Sequence, residues 1–190
     1  MAKRVHKTLI SWIGGNDLKA AASGQEVPPG PIRSTLYRTE FDSVQLLYSY
    51  PRSEVESYLS WLRSGVDVPI NSNEVKLSSP VNFGEIYLTV EPHLKRLSAA
   101  ETELSILLSP GTPAMQAVWI LLGKTRYPAD FYQSSLERGV EKVEIPFELS
   151  AEFIPSVSEI SDANFRALAD SRAPINAAFD NIVTQNPGML

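Results

Sequence analysis

The stretch ELSILLSPGTPAMQAVWILLGK, Glu103 to Lys124, decides the reading of the fold. Its first part, Leu104 to Leu108, is a continuous apolar run of the kind found in strands buried on both faces of a parallel sheet. A tight Ser-Pro-Gly-Thr turn follows. From Pro113 to Leu122 the apolar residues Met115, Val118, Trp119 and Leu122 recur at helical spacing. Thr112 suits the N-cap and Pro113 the first helical position, so the turn is a strand-to-helix junction. In an open α/β sheet such junctions stand at the carboxyl ends of strands, where ligands enter, and helix-start amides there can hold an anion. The window alone is equally well explained as a capped turn.

Working outward, TLISWI (Thr8 to Ile13) is a second apolar strand, ending at Gly14 and Gly15. Two glycines allow close backbone approach, and Ser11, Asn16 and Asp17 add polar capacity, although a tight turn with an Asn or Asp cap accounts for the same residues. The next segment, NDLKAAASGQEVPPGPIRS, reads as loop from its Gly, Pro and Ser content. Val44 to Tyr50 is a strand. PRSEVESYLSWLRSG is a helix with Ser53 and Glu56 at capping-box spacing and Val55, Tyr58, Leu59 and Leu62 as its apolar stripe. Val66 to Ile70 reads as a short strand. Helical spacing resumes from Phe83 to Leu97, with Pro92 expected to kink or divide it. ADFYQSS and VEKVEIPFEL supply later strands. The alternation predicts an α/β, Rossmann-like, mostly parallel sheet with helices on both faces and a C-terminal linker.

Composition narrows the function. The 190 residues have a hydrophobic fraction of 43%, and 17 Lys and Arg against 22 Asp and Glu give a formal charge of −5. That balance disfavours a broad grip on duplex backbone, yet a small anionic ligand needs only a few local donors. There is no cysteine, which removes thiolate chemistry and disulfides and is compatible with a cytoplasmic location. No stretch has the length of a membrane span, and no membrane partner is expected. Neither GxxxxGK[ST] nor GxGxxG occurs. His6 and His93 read as surface or capping residues, no compact His and carboxylate spacing calls for a metal, and no cofactor or catalytic residue is assigned. Trp12 could stack a base or belong to the core. Lys124 and Arg126 could lend positive field to a pocket rim, or simply complement the helix C-terminus.

TLISWIGGND, VQLLYS and ELSILLSPGTPAMQAVWILLGK together resemble the sensor modules of the CRISPR-associated Rossmann-fold (CARF) family. The likeness is to the version at the N-terminus of sigma-54-dependent activators related to the regulator of the RNA 3′-terminal phosphate cyclase operon. It spans about Lys7 to Leu149. The resemblance implies a homodimer whose paired domains bind an RNA-derived or cyclic oligonucleotide. Ser11, Trp12 and Gly14 match the family's strand-end loop, and Ser109, Gly111 and Thr112 its helix-start loop. With Gly15 and Asn16 these are the expected ligand-binding residues. The family's turn is often of a GGT kind; here Pro110 removes a donor and restricts the loop.

The sequence divides into a ligand-sensing domain, 1–150, and a linker, 151–190. The final AFDNIVTQNPGML resembles the lead-in to a sigma-54 activator ATPase, with Thr184 and Asn186 departing from its usual glycine and serine. The implied partners are therefore transcriptional ATPase and DNA-binding domains in a longer parent chain. Two other readings stay open: a metal-independent phosphodiesterase that cleaves its cyclic oligonucleotide, and a noncatalytic protein-interaction scaffold. If the turn holds a phosphate, a large residue at Gly111 is expected to impair binding more than folding, Thr112→Ala less so, and Trp12→Phe to be mild if stacking dominates.

Overall fold

The computed structural model describes residues 4–23, 28–99 and 102–146. All belong to the first of two contact units, Met1–Phe153; the expected linker at 151–190 lies outside the described residues.

Six strands form one sheet: β1 (Lys7–Trp12), β2 (Ser43–Tyr48), β3 (Ile70–Glu74), β4 (Glu103–Leu107), β5 (Asp130–Ser135) and β6 (Gly139–Val143). Their order is β3-β2-β1-β4-β5-β6, with every neighbouring pair parallel except β5 and β6. This is the expected α/β, Rossmann-like, mostly parallel architecture. Five helices cover it: α1 (Gly15–Ser23), α2 (Gly30–Arg38), α3 (Arg52–Arg63), α4 (Phe83–Ser98) and α5 (Pro113–Thr125).

β1 and β4 are central, and the residues of β1 after Lys7 are buried throughout, which is why they read as unbroken apolar runs. Alternation along β1 sends Ile10 and Trp12 into a core with Ile106 and helices α4 and α5. Leu9 joins the opposite core with Ile32 of α2 and the Val55, Tyr58, Leu59 and Leu62 stripe of α3. Lys7 seals the sheet's lower edge, its Nζ donating to Tyr132 Oη at 3.0 Å and lying 5.1 Å from the centre of the Phe41 ring.

Four sequence expectations are corrected. The segment expected as loop holds α1 and α2. Leu18, Ala20 and Ala21 give α1 an apolar face, while Pro29 and Pro31 flank the start of α2, where a missing amide costs no helical bond. β3 begins at Ile70 rather than ending there, because Ile70 to Glu74 pairs with Val44 to Tyr48; an edge strand needs few apolar residues and this one has a single buried position. α3 has Pro51 at its N-cap with no side-chain cap, and Glu56 pairs with Arg52 at 2.7 Å. Finally, Pro92 does not divide its helix: it takes an exposed position inside the continuous α4.

Candidate functional site

β1 and β4 are neighbours that feed helices on opposite faces, so the sheet's topological switch point opens between the β1–α1 and β4–α5 turns. The turns touch. A Cβ on Gly14 would lie 3.1 Å from Cβ of Pro110. Around this contact run three adjoining cavities. The central one, about 150 Å³, is lined by Gly14, Gly15, Asn16, Asp17, Ser109 and Gly111, among others. A second, about 260 Å³, extends over Trp12, Tyr50, Pro80, Gly111, Thr112 and Met115. The third, about 330 Å³, reaches along Asn16, Lys19 and Pro31 to Ser134, Ser135 and Leu136. A wider depression of about 500 Å³ lies at the opposite, amino end of the strands, between Tyr37, Glu40, Gly65 and Asp67, where no parallel-strand carboxyl end opens.

The β1–α1 turn is built around a buried carboxylate. Gly14 N donates to Asp17 Oδ2 at 3.1 Å and Ile32 N to Oδ1 at 3.0 Å, so Asp17 ties the turn to the start of α2. Burial pushes the Asp17 carboxyl up to about 7, although the Ile32 and Gly14 amides each pull it down. With both oxygens engaged and no exposed surface, it serves as a clamp. The amides of Asp17 and Leu18 donate back to Gly14 O, and helix geometry leaves those of Gly15 and Asn16 without an intrahelical acceptor. Both residues line the central cavity, at the positive end of the α1 dipole.

The β4–α5 turn uses its polar groups differently. Thr112 is the N-cap as expected: its Oγ1 accepts from Met115 N at 3.3 Å and donates to Pro80 O at 2.6 Å. Thr112 N meets Met115 Sδ at 3.4 Å, and Pro113 has no amide to offer. Ser109 Oγ accepts from Ser134 N at 2.5 Å, fastening the turn to β5. Gly111 has φ +99°, and a Cβ there would meet Met115 Sδ at 2.9 Å and Trp12 Cδ1 at 3.5 Å. A side chain at 111 would therefore drive into the core rather than across the crevice.

Of the expected ligand-binding residues, Gly14, Gly15, Asn16, Ser109 and Gly111 line one cavity, and Trp12, Gly15, Gly111 and Thr112 line the next. Ser11 stands apart: it is fully buried and donates to Trp12 O and Leu107 O at 3.0 and 3.3 Å, so its hydroxyl is occupied within the sheet. Trp12 is 1% exposed and packs 6.2 Å from Trp119, which makes it core with one edge on the cavity, not a stacking surface. Lys124 and Arg126 lie at the far end of α5, about 20 Å along its axis from Pro113, where Arg126 Nη1 donates to Tyr87 Oη at 2.6 Å and lies 3.8 Å from Glu91. They form no part of the rim.

Sequence reasoning missed Tyr50, whose hydroxyl would lie 3.5 Å from a Cβ on Gly15, together with Ser134 and Ser135. The signal was present: parallel strands all end on one edge, so Ser49 and Tyr50 after β2 had to face the same opening as Gly14. Among the described residues no cluster of three or more His, Cys, Asp or Glu could hold a metal. No described helix is long and apolar enough to cross a membrane.

Neither a family model nor a curated protein sequence matches the chain. Solved structures do. Enterococcus italicus Csm6 bound to cyclic hexa-2′-fluoro-hexa-dAMP is similar with a TM-score of 0.58 at 15% identity, over 89% of this chain and 39% of Csm6. Can2 from Sulfobacillus thermosulfidooxidans, in complex with cyclic tetra-adenylate, gives 0.49 at 14% identity over 75% of this chain and 38% of Can2. A type III CRISPR defence DNA nuclease activated by cyclic oligoadenylate gives 0.45 at 19% identity, over 77% and 23%. The chain spans about two-fifths of Csm6, and what it shares with that protein is the fold.

Proposed function

We propose that this domain is a noncatalytic sensor that binds an RNA-derived or cyclic oligonucleotide in the switch-point crevice and biases the state of an attached module. The observation that carries the reading is the meeting of two glycine-bearing strand-to-helix turns, with the Gly15 and Asn16 amides at the opening. It is supported by the likeness of fold to Csm6, whose solved structure holds a cyclic hexanucleotide analogue. A phosphate at the start of α1 is stabilised by those amides and the helix dipole, with Lys19 one turn along the same helix and lining the adjoining cavity. Repeated phosphates suit two crevices brought together by a homodimer. The attached module, by the sequence resemblance, is the ATPase and DNA-binding portion of a sigma-54-dependent activator. A ligand acts on it only by binding one arrangement of the coupled parts more tightly than another.

The test is calorimetric titration of the purified chain with cyclic oligoadenylates and with RNA ending in a 2′,3′-cyclic phosphate, with sedimentation of the same mixtures. Saturable binding and ligand-linked association are expected, and the recovered ligand is expected intact. Cleaved ligand would make the domain a phosphodiesterase. Absence of any oligonucleotide binding, beside a saturable protein partner, would make it a scaffold.

A further inference from the structure

The cavity of about 260 Å³ differs in character from the one beside it. Where the central cavity presents backbone amides and Ser109, this one is walled by Trp12, Ile13, Tyr50, Pro80 and Met115, with Ser49 and Thr112 as its polar members. A flat, largely apolar group fits such walls better than a phosphate does. Tyr50 is 37% exposed, an aromatic ring available at the opening, with its hydroxyl over Gly15.

One polar atom in the wall has no partner. The indole Nε1 of Trp12 is buried without an acceptor, in a residue that is 1% exposed. Its five-membered ring faces the turn: Cδ1, the carbon bonded to Nε1, lies 3.5 Å from where a Cβ on Gly111 would stand, and Met115 Sδ lies 2.9 Å from that same point. An unsatisfied buried donor is costly, so an acceptor delivered to it yields more than the same bond made in water. Met115 lines the same cavity beside Trp12, and a thioether side chain with three rotatable bonds moves aside at small cost.

We infer that this cavity is a nucleobase subsite, in which the base lies against Tyr50 while the indole N–H of Trp12 donates to an acceptor on the ring edge. The inference rests on the oligonucleotide reading and refines it: the phosphate belongs to the Gly15 and Asn16 amides, the base to the Trp12 and Tyr50 side. It also reverses the expected role of Trp12, from stacking surface to hydrogen-bond donor. Trp119 supplies an internal control, since its Nε1 is likewise unpartnered but its ring is fully enclosed in the core.

The experiment follows the three indole N–H resonances of the full chain, labelled with 15N, during titration with adenosine 5′-monophosphate and separately with ribose 5-phosphate. Cyclic oligoadenylate binding is measured on the same samples. Trp119→Phe and Trp61→Phe identify the Trp12 signal by elimination, so the assignment survives if Trp12→Phe fails to fold. The Trp12 resonance is expected to shift with the nucleotide and to stay in place with the sugar phosphate, while that of Trp119 moves with neither. Trp12→Phe is expected to weaken nucleotide binding roughly fivefold, about one net hydrogen bond, and Tyr50→Leu by at least about fivefold through lost stacking; Trp119→Phe should do neither.

Nucleotide binding that leaves the Trp12 resonance still, equal losses in Trp12→Phe and Trp119→Phe, or no binding of the mononucleotide at millimolar concentration would each overturn the base subsite. If cyclic oligoadenylate binds in those cases, the sensor reading stands without it. A Trp12 shift with the mononucleotide but no binding of any oligonucleotide supports the subsite and removes the oligonucleotide reading.

Discussion

The β1–α1 and β4–α5 turns occupy equivalent places on the sheet, yet they spend their polar groups in opposite ways. At β4–α5 the hydroxyls of Ser109 and Thr112 are engaged with Ser134 N, Met115 N and Pro80 O. At β1–α1 a buried carboxylate holds the turn through Gly14 N and Ile32 N, and the Gly15 and Asn16 amides have no intrahelical acceptor. The turn with the more distinctive sequence is thus the more self-satisfied one. Polar residues in a motif are informative about a ligand only after their internal partners have been subtracted.

Substitutions at the two turns sharpen this contrast. The largest effect is expected for Asp17→Ala, which leaves two buried amides without acceptors; at about 1–3 kcal/mol for each, chemical denaturation should show a loss of roughly 2–6 kcal/mol. A loss below about 1 kcal/mol would remove the clamp. Gly111→Ala should come next, at roughly 1–3 kcal/mol, because φ +99° strains any L-residue and the new Cβ would lie 3.3 Å from Met115 Cβ. This turns round the sequence expectation for Gly111: its substitution damages folding first, so it is a poor probe of ligand contact.

Thr112→Ala is expected to lose about 1 kcal/mol through its cap, with oligonucleotide affinity nearly unchanged. A large affinity loss in well-folded Thr112→Ala would shift the anion site to α5. Proline at Asn16, which deletes an outward amide at a first-turn position that tolerates the ring, should do the reverse, reducing affinity several-fold with a smaller change in unfolding.

The last contrast is in pH dependence. The Asp17 pKa is raised in the folded chain to about 7 from an ordinary 3.8, so the folded state holds the extra proton between those values. Its contribution is present in full below about pH 4 and is lost as pH rises through 7. His93, held below its ordinary value by burial and then by Arg96, works the other way, favouring the folded state as pH rises through its ordinary 6.5. Asp17→Asn should therefore make the profile between pH 5 and 7 rise more, or fall less, than that of the unaltered chain. Parallel profiles would show that Asp17 is ionised throughout.

The fold was legible where burial is two-sided. Leu9, Ile10, Leu46 and Ile106 sit in strands with no exposed face, and such runs have few other uses. α1 and α2 were not, because Gly15, Gly30 and Pro31 stand at helix starts, where residues that otherwise mark loops are tolerated. The polar strand β3 escaped for the converse reason: an edge strand is defined by its neighbour's register, a fact that is not local. In the site, the backbone positions Gly14, Gly15 and Gly111 were readable from residue type, whereas the exposure of Trp12 and the partners of Ser11 and Thr112 depend on what packs from across the sheet. Tyr50 comes from a third parallel strand end, which places it on the same edge as Gly14, while its closeness to Gly15 follows from β2 pairing beside β1.

Pro92 sets a condition on anything that would cover the middle of α4. In the middle of α4 it has no amide to give the carbonyl of Leu88, four residues earlier, and both residues lie on the helix's exposed side. Water meets that carbonyl's need at no great cost. An apolar surface laid over it would not, since a buried carbonyl requires a donor. The exposed Val81 and Phe83 at the beginning of the helix carry no such requirement.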